Sequence, residues 1–428
     1  MKKVLLITYH FPPDREIGAQ RPSKLAKYLG NYGWEPIVLT IKREQNISIK
    51  NKIIQTDYLD VLDHYKTRLG FKSDEGIQNQ INAGATGNLR SSASSYLIKI
   101  FKDIIAFPDE KRGWYKYAMA ASTELIKKES IDAIISTSPS TITHFIAHKI
   151  KKNHGIPWIA DLRDLWTQNH FYNKQFFIRK FEQLMELKIL KNADLLVTVT
   201  EQFAKSLKEL HKRSDVYCLT NGYDEEDFPK IELPLSKKFT ITYAGSLYSG
   251  RRNPSLLFGA VNDLINSNTL ERDMIEIRIY SSEGGLLTDE IKKCGLEGIV
   301  HVNGLIPRDE ALKKFRESQL LLLLLDSGNR EEDVYPAKIF EYFASKRPVI
   351  GIGSEKCAVK DLFDKNNGGR FASDMESLKC YIAEYYREFI TNGSIRCRSN
   401  CNINNYAFRL ISQKYAELLT YAADNHRT

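Results

Sequence analysis

Two stretches of the 428-residue sequence hold side chains whose types and spacing suit a phosphorylated sugar. In "FTITYAGSLYSGRRNP", Gly245 and Gly250 flank a short loop after a strand-like run, and the loop ends in Arg251 and Arg252. Glycine lets a backbone approach a ligand closely. Each guanidinium can form paired charge-assisted bonds to phosphate oxygens, so two side by side suit a diphosphate. In "YPAKIFEYFASKRPVIG", Pro336 favours the first turn of a helix, whose unpaired N–H groups around Ala337, Lys338 and Ile339 suit an anion. Glu341 lies one turn further in and leans back toward Ala337 and Lys338, where a carboxylate can accept hydrogen bonds from sugar hydroxyls. Each feature alone also reads as ordinary surface: a charged residue on an amphipathic helix, a solvated basic loop. Together, at two strand ends of one half of the chain, they favour a bound ligand.

The other half offers charges at a strand end. "PWIADLRDLW" sets Asp161, Arg163 and Asp164 within one turn, and burying such charges is costly unless they pair or bind something. An ion pair of Arg163 with Asp161 or Asp164 is the structural alternative to a site. Near the start, "HFPPDREIGAQRPSKLA" places Gly18 between a strand and a helix, where backbone can again come close to a ligand.

The elements that must position these residues alternate. "KKVLLITY", "PIVLT", "AIIST", "PWIAD" and "DLLVTVT" read as strands in the first half, and "FTITYAG", "IEIRIYS", "IVHVNG", "LLLLLL" and "PVIGIG" in the second, with helical patterns between them. Such alternation predicts parallel sheets covered by helices, and two series predict two doubly wound α/β domains, whose ligands sit beyond the carboxyl ends of the strands. The acidic, proline-bearing stretch around Thr220–Lys238 marks the join. Residues 44–112 do not fit the alternation: "NQINAGATGNLRSSASS" reads as a loop, and "YLIKIFKDIIAF" as a basic amphipathic helix with Leu97, Ile98, Phe101, Ile104 and Ile105 near one face. That helix is either packed core or a contact with an anionic membrane.

Composition narrows the class. Apolar content of 42% supports packed cores and argues against disorder. The leucine run Leu320–Leu325 is far shorter than the ~20 residues a bilayer span needs. The apolar opening lacks a small-residue cleavage site, so a cytoplasmic location, with contact at the inner membrane face as an extension, is the expectation. Six scattered cysteines form no zinc pattern and read as free thiols. Residues 1–230 carry 35 Lys/Arg against 27 Asp/Glu, a balance of +8 that leaves +1 for the rest. A basic first half serves a phosphorylated substrate or an anionic membrane. No Arg-Gly repeat, helix-turn-helix or zinc finger points to nucleic acid.

In this order, "YHFPPDREIGAQRPSKLAKYL", "PWIADLRDLW", "ADLLVTVTEQFAKSL", "LTNGYDEEDF", "YAGSLYSGRRNP" and "YPAKIFEYFASKRPVIG" resemble the GT-B glycosyltransferases of family 4, the glycosyl transferases group 1. The resemblance implies two Rossmann-like domains facing a cleft. Residues 1–225 would bind the acceptor and 226–405 the nucleotide-sugar, with 406–428 as a helix crossing back to the first domain. It implies retaining transfer from a nucleotide-diphosphate sugar, UDP rather than GDP, to a glycan or lipid-linked glycan acceptor in bacterial surface polysaccharide assembly. No metal and no further cofactor are expected. Carried over by position, Glu341 would hold the ribose. Arg251 and Arg252 would bind the diphosphate with Gly245, Ser246, Pro336, Ala337, Lys338 and Ile339, and Gly18 would admit it to the first domain. Arg163 and Asp164 fall on the acceptor side. Family members carry two glutamates with seven residues between them, and the first lies where this chain has Asp333. They also often have a histidine where this chain has Asp161. The expected catalytic group is therefore Asp161, Asp333 and Arg251, unless the histidine's part is dispensed with. A nucleotide-sugar epimerase of the same fold and a catalytically silent sugar-nucleotide-binding protein are the rival readings.

Overall fold

A computed structural model describes residues 1–14, 16–43, 51–61, 103, 107–169, 174–326, 333–397 and 401–425. The chain divides into two compact units, Met1–Leu219 with Ser412–Thr428, and Thr220–Ile411.

The first unit is built on a seven-stranded parallel sheet. Its strands are β1 (Lys2–Thr8), β2 (Trp34–Ile41), β3 (Lys52–Thr56), β4 (Ala133–Thr137), β5 (Trp158–Leu162), β6 (Leu195–Thr198) and β7 (Val216–Cys218), in spatial order 3-2-1-4-5-6-7. The central strands are near-continuous apolar runs because helices cover both faces, as a parallel sheet requires. The order reverses between β1 and β4, and that is where a doubly wound sheet opens a crevice at its carboxyl edge. Helices Gln20–Tyr28 and Ile142–His154 follow those two strands. The terminal helix Phe408–Asn425 joins this unit from Ser412 onward, burying Tyr415, Leu419 and Ala422 and accepting the indole N–H of Trp34 at Thr420 Oγ1 (3.3 Å).

The second unit carries β8 (Phe239–Ala244), β9 (Ile275–Tyr280), β10 (Val300–Asn303), β11 (Leu320–Leu324), β12 (Val349–Ile352) and β13 (Gly369–Ala372), all parallel, in order 10-9-8-11-12-13. The leucine run is explained by β11. Leu320, Leu322 and Leu324 enter the core on one face, and Leu321, Leu323 and Leu325 enter the core on the other. Here the order reverses between β8 and β11.

Three strands were not anticipated. β3 lies inside the segment read as outside the alternation, and β7 and β13 are not among the strand-like runs named above. The helix expected from Pro336 opens two residues later, at Lys338, with Pro336 accepting from the Ile339 N–H (3.0 Å). The polar loop and most of the amphipathic segment in residues 96–107, including Leu97, Ile98, Phe101, Ile104 and Ile105, lie outside the described residues. Among the described residues no helix is long and apolar enough to cross a membrane.

Candidate functional site

The second unit gathers the expected donor residues at its switch point. Gly245–Arg252 follows β8, Asp326 follows β11, and Lys338 begins the short helix that leads from β11 toward β12. Lys338 reaches across to the end of β8, donating to Ala244 O (3.0 Å) with its ammonium 4.2 Å from the centre of the Tyr243 ring. Gly245 has a φ of +137°, where side chains are strained, and a Cβ there would stand 2.5 Å from Lys338 Nζ and displace that ammonium. Arg251 is partly exposed and pairs with Asp326 (3.7 Å). Arg252 is only 5% exposed and stacks on Tyr248 with 4.3 Å from guanidinium to ring centre. Three cationic side chains thus belong to one strand-end cluster, two held by aromatic rings and one by a carboxylate.

A carboxylate that sequence reasoning missed organises the loop. Glu283 accepts from Ser246 Oγ (2.6 Å) and from the N–H groups of Leu247 (2.7 Å), Tyr248 (3.0 Å) and Ser249 (2.7 Å). Tyr248 and Ser249 both have positive φ, and successive N–H groups in such a turn form an anion-binding concavity. Glu283 fills it. Those four hydrogen bonds hold the Glu283 carboxyl below its usual range, chiefly through Ser246 and Ser249. Ser246, expected on the donor, is therefore engaged with Glu283.

Glu341 is 9% exposed and takes both Nε (2.8 Å) and Nη2 (2.6 Å) of Arg308 on one oxygen, while Arg308 Nη1 bonds Asp227 (2.8 Å). Burial opposes the charge on Arg308, but Glu341 and Asp227 more than offset it and raise its pKa. Arg308 sits at a helix start with no motif around it, so nothing in the sequence marked it as a partner. Ala337 is the N-cap of the helix, whereas Ile339 is fully buried with its N–H used by Pro336, so Ile339 serves the core. Asp333 is half-buried in the loop before that helix.

The first unit arranges its charges differently from expectation. Asp161 is 0% exposed and pairs with Arg21 in two hydrogen bonds, Nε to Oδ2 and Nη2 to Oδ1, both 3.1 Å. Thr137 Oγ1 donates to Oδ2 (2.7 Å). Arg21 also donates to Leu219 O (2.8 Å) and Tyr415 Oη (2.9 Å), tying the first helix to the terminal one. Burial pushes the Asp161 carboxyl up, but Arg21 and Arg163 outweigh it and the net direction is down. The partner of Asp161 is thus Arg21, 140 residues away, and not its neighbour Arg163. Asp161 is thus fully buried, with its carboxylate held by Arg21 and Thr137. Arg163 donates through Nε to Ser138 O and through Nη1 to Gly18 O (2.6 Å), and burial lowers its pKa to about 10, still charged at neutral pH. Gly18 packs against the His10 ring, where a Cβ would come within 3.3 Å. Asp164 is exposed. Among the described residues no cluster of three or more His, Cys, Asp or Glu side chains could hold a metal.

Residues 78–227 match the model of Glycosyltransferase Family 4. The whole chain shares its fold with sucrose-phosphate synthase from Thermosynechococcus elongatus (12% identity, TM-score 0.58, 99% of this chain and 97% of that one). The chain has the GT-B fold. Similar structures include Anabaena HepE in complex with UDP and glucose (10% identity, TM-score 0.56, 99% of this chain and 98% of that one). Another is the lipopolysaccharide outer core galactosyltransferase WaaB (12% identity, TM-score 0.56, 98% of this chain and 99% of that one). No curated protein matches the sequence. In this GT-B chain the strand-end cluster of the second unit lies where a doubly wound sheet binds ligands.

Proposed function

We propose that this chain is a retaining glycosyltransferase that takes a sugar from a UDP-sugar and delivers it to a glycan or lipid-linked glycan in bacterial surface polysaccharide assembly. The observation that carries the reading is the grouping of Arg251, Arg252 and Lys338 at the β8/β11 switch point, one helical turn from the carboxylate of Glu341. HepE is seen with UDP and glucose, and WaaB is named for transfer to lipopolysaccharide, which supports both ends of the proposal.

Departure of the sugar leaves negative charge on the diphosphate. Cations already in place stabilise that charge more in the transition state than in the bound donor, and thereby speed the step. Lys338 lies at the β8 end, Arg251 pairs with Asp326 after β11, and Arg252 stacks on Tyr248 in the loop after β8. Glu341, held by Arg308, is oriented to accept from ribose hydroxyls. With Asp161 enclosed, the mechanism relies on orientation and charge stabilisation in the second unit, with Asp333 as the carboxylate proposed beside the transferring sugar.

The test is kinetic. Glu341→Gln should weaken UDP-sugar binding by roughly 10- to 100-fold, the loss of a charge-assisted acceptor worth about 1.5–3 kcal/mol. Arg251→Ala should depress kcat, not only raise KM. Normal turnover in both variants would overturn the donor assignment. Release of free epimerised sugar-nucleotide without acceptor would point to the epimerase instead.

A further inference from the structure

Helix Phe176–Leu190 carries large apolar side chains on its outward face as well as its inward one. Its inward face buries Ile178, Glu182, Glu186, Ile189 and Leu190. The two carboxylates are provided for: Lys174 reaches Glu182 (2.5 Å), and Glu186 accepts from Thr167 N (3.0 Å), the Thr167 hydroxyl and His211 Nε2 (3.4 Å). Its outward side carries Phe176, Phe177, Phe181 and Leu184 at 74%, 58%, 61% and 65% exposure. Spacings of four and three residues set Phe177, Phe181 and Leu184 on one stripe, opposite the buried face. Phe181 touches one further ring, that of Phe107, with centroids 5.9 Å apart. Single exposed apolar residues are ordinary, but a stripe of large ones on one helix marks a contact surface.

We propose that this stripe docks the protein on an anionic phospholipid surface. The charges decide for that partner. Lys180 and Lys188 lie on the same outward face and Lys191 follows the helix end, while both glutamates of the helix point inward. A two-fold contact between copies would bring these lysines together without exposed carboxylates of the helix to meet them, so the surface is not complementary to itself. Phenylalanine and leucine flanked by lysine is what an interfacial helix presents: rings enter the acyl boundary and ammonium groups stay with the headgroups. The surface differs from residues 96–107, to which the sequence alone pointed, and the inference does not depend on the donor reading.

The experiment is flotation of the full chain with vesicles of phosphatidylcholine alone or mixed with phosphatidylglycerol. The wild type should float with the mixed vesicles and be released as salt shortens the Debye length from about 10 Å at 0.1 M to about 3 Å at 1 M. Replacing Phe177, Phe181 and Leu184 together by serine should abolish flotation with an unchanged melting temperature, since exposed side chains carry little of the fold. Lys180→Gln and Lys188→Gln should each weaken partition about fivefold, the equivalent of about 1 kcal/mol per lysine. Absence of flotation, or flotation retained by the triple serine variant, would overturn the proposal. So would a fall in the triple variant's melting temperature, which would make the stripe core. A dimer in light scattering that the same substitutions dissolve would assign the face to a second copy.

Discussion

Breaking the Arg21–Asp161 pair from one side should cost the first unit about 3–5 kcal/mol, because an uncompensated charge then stays buried. Asp161→Asn keeps the shape and removes the charge, so the expected outcome is a lowered melting temperature with kcat per folded molecule preserved. An unchanged melting temperature with lost turnover would restore a catalytic role to Asp161. The same unit holds a second buried titratable group. His144 is fully buried with Nδ1 on Ser136 Oγ (2.8 Å), and burial lowers its pKa from 6.5 to about 4. Between those values the unfolded chain binds a proton that the folded one refuses, so stability is lost as pH falls from about 6.5 to about 4. At about 1.4 kcal/mol per pKa unit the loss is roughly 3 kcal/mol. Urea titrations across that range should show it, and His144→Asn should flatten the profile; equal slopes in the two proteins would refute the assignment. Neither group's true partner was legible in the sequence. Asp161 stands in a charged turn with Arg163 and Asp164 that invites a local pair, and Arg21, its true partner, lies in the stretch quoted around Gly18 with nothing to distinguish it.

At the scale of elements, the loop Gly245–Arg252 is held by one carboxylate from the turn after β9. Removing Glu283 should leave the fold standing but loosen the backbone that presents Arg251 and Arg252. Glu283→Ala is therefore expected to raise KM for the donor several-fold with little change in melting temperature, and Glu283→Gln, which retains one acceptor, to recover part of it. Donor kinetics unchanged in the alanine variant would mean that the loop keeps its shape unaided. This arrangement was invisible beforehand because Glu283 and the glycines of its loop are far apart in sequence and share no pattern. The strands show the same limit from another side. Central strands were readable as apolar runs because both faces are covered. The strands passed over, β3, β7 and β13, are all sheet-edge strands, only partly buried, and their sequences "KIIQT", "VYC" and "GRFA" give no run to follow. Helix Phe176–Leu190 falls among the helical patterns between the strands, yet which face it buries could not be read, since its inward side carries two glutamates that only their tertiary partners make tolerable.

For the whole molecule, the division into two compact units gives the proposed function a thermodynamic signature. The residues assigned to the donor, Arg251, Arg252, Lys338 and Glu341, all belong to Thr220–Ile411, whereas Arg21, Asp161, His144 and Tyr415 belong to the other unit. A ligand that binds only the folded second unit stabilises it by mass action, about 2.7 kcal/mol when its concentration is 100 times Kd. For a domain of this size that moves a melting transition by roughly 5–11 °C, at about 2–4 °C per kcal/mol. Scanning calorimetry should therefore show two transitions. UDP should raise one of them, Asp161→Asn should lower the other, and Glu341→Gln should suppress the response to UDP while leaving the first unit's transition in place. If UDP instead raises the transition that Asp161→Asn lowers, the nucleotide binds through the first unit. The strand-end cluster of the second would then lose its assignment, whatever its charges.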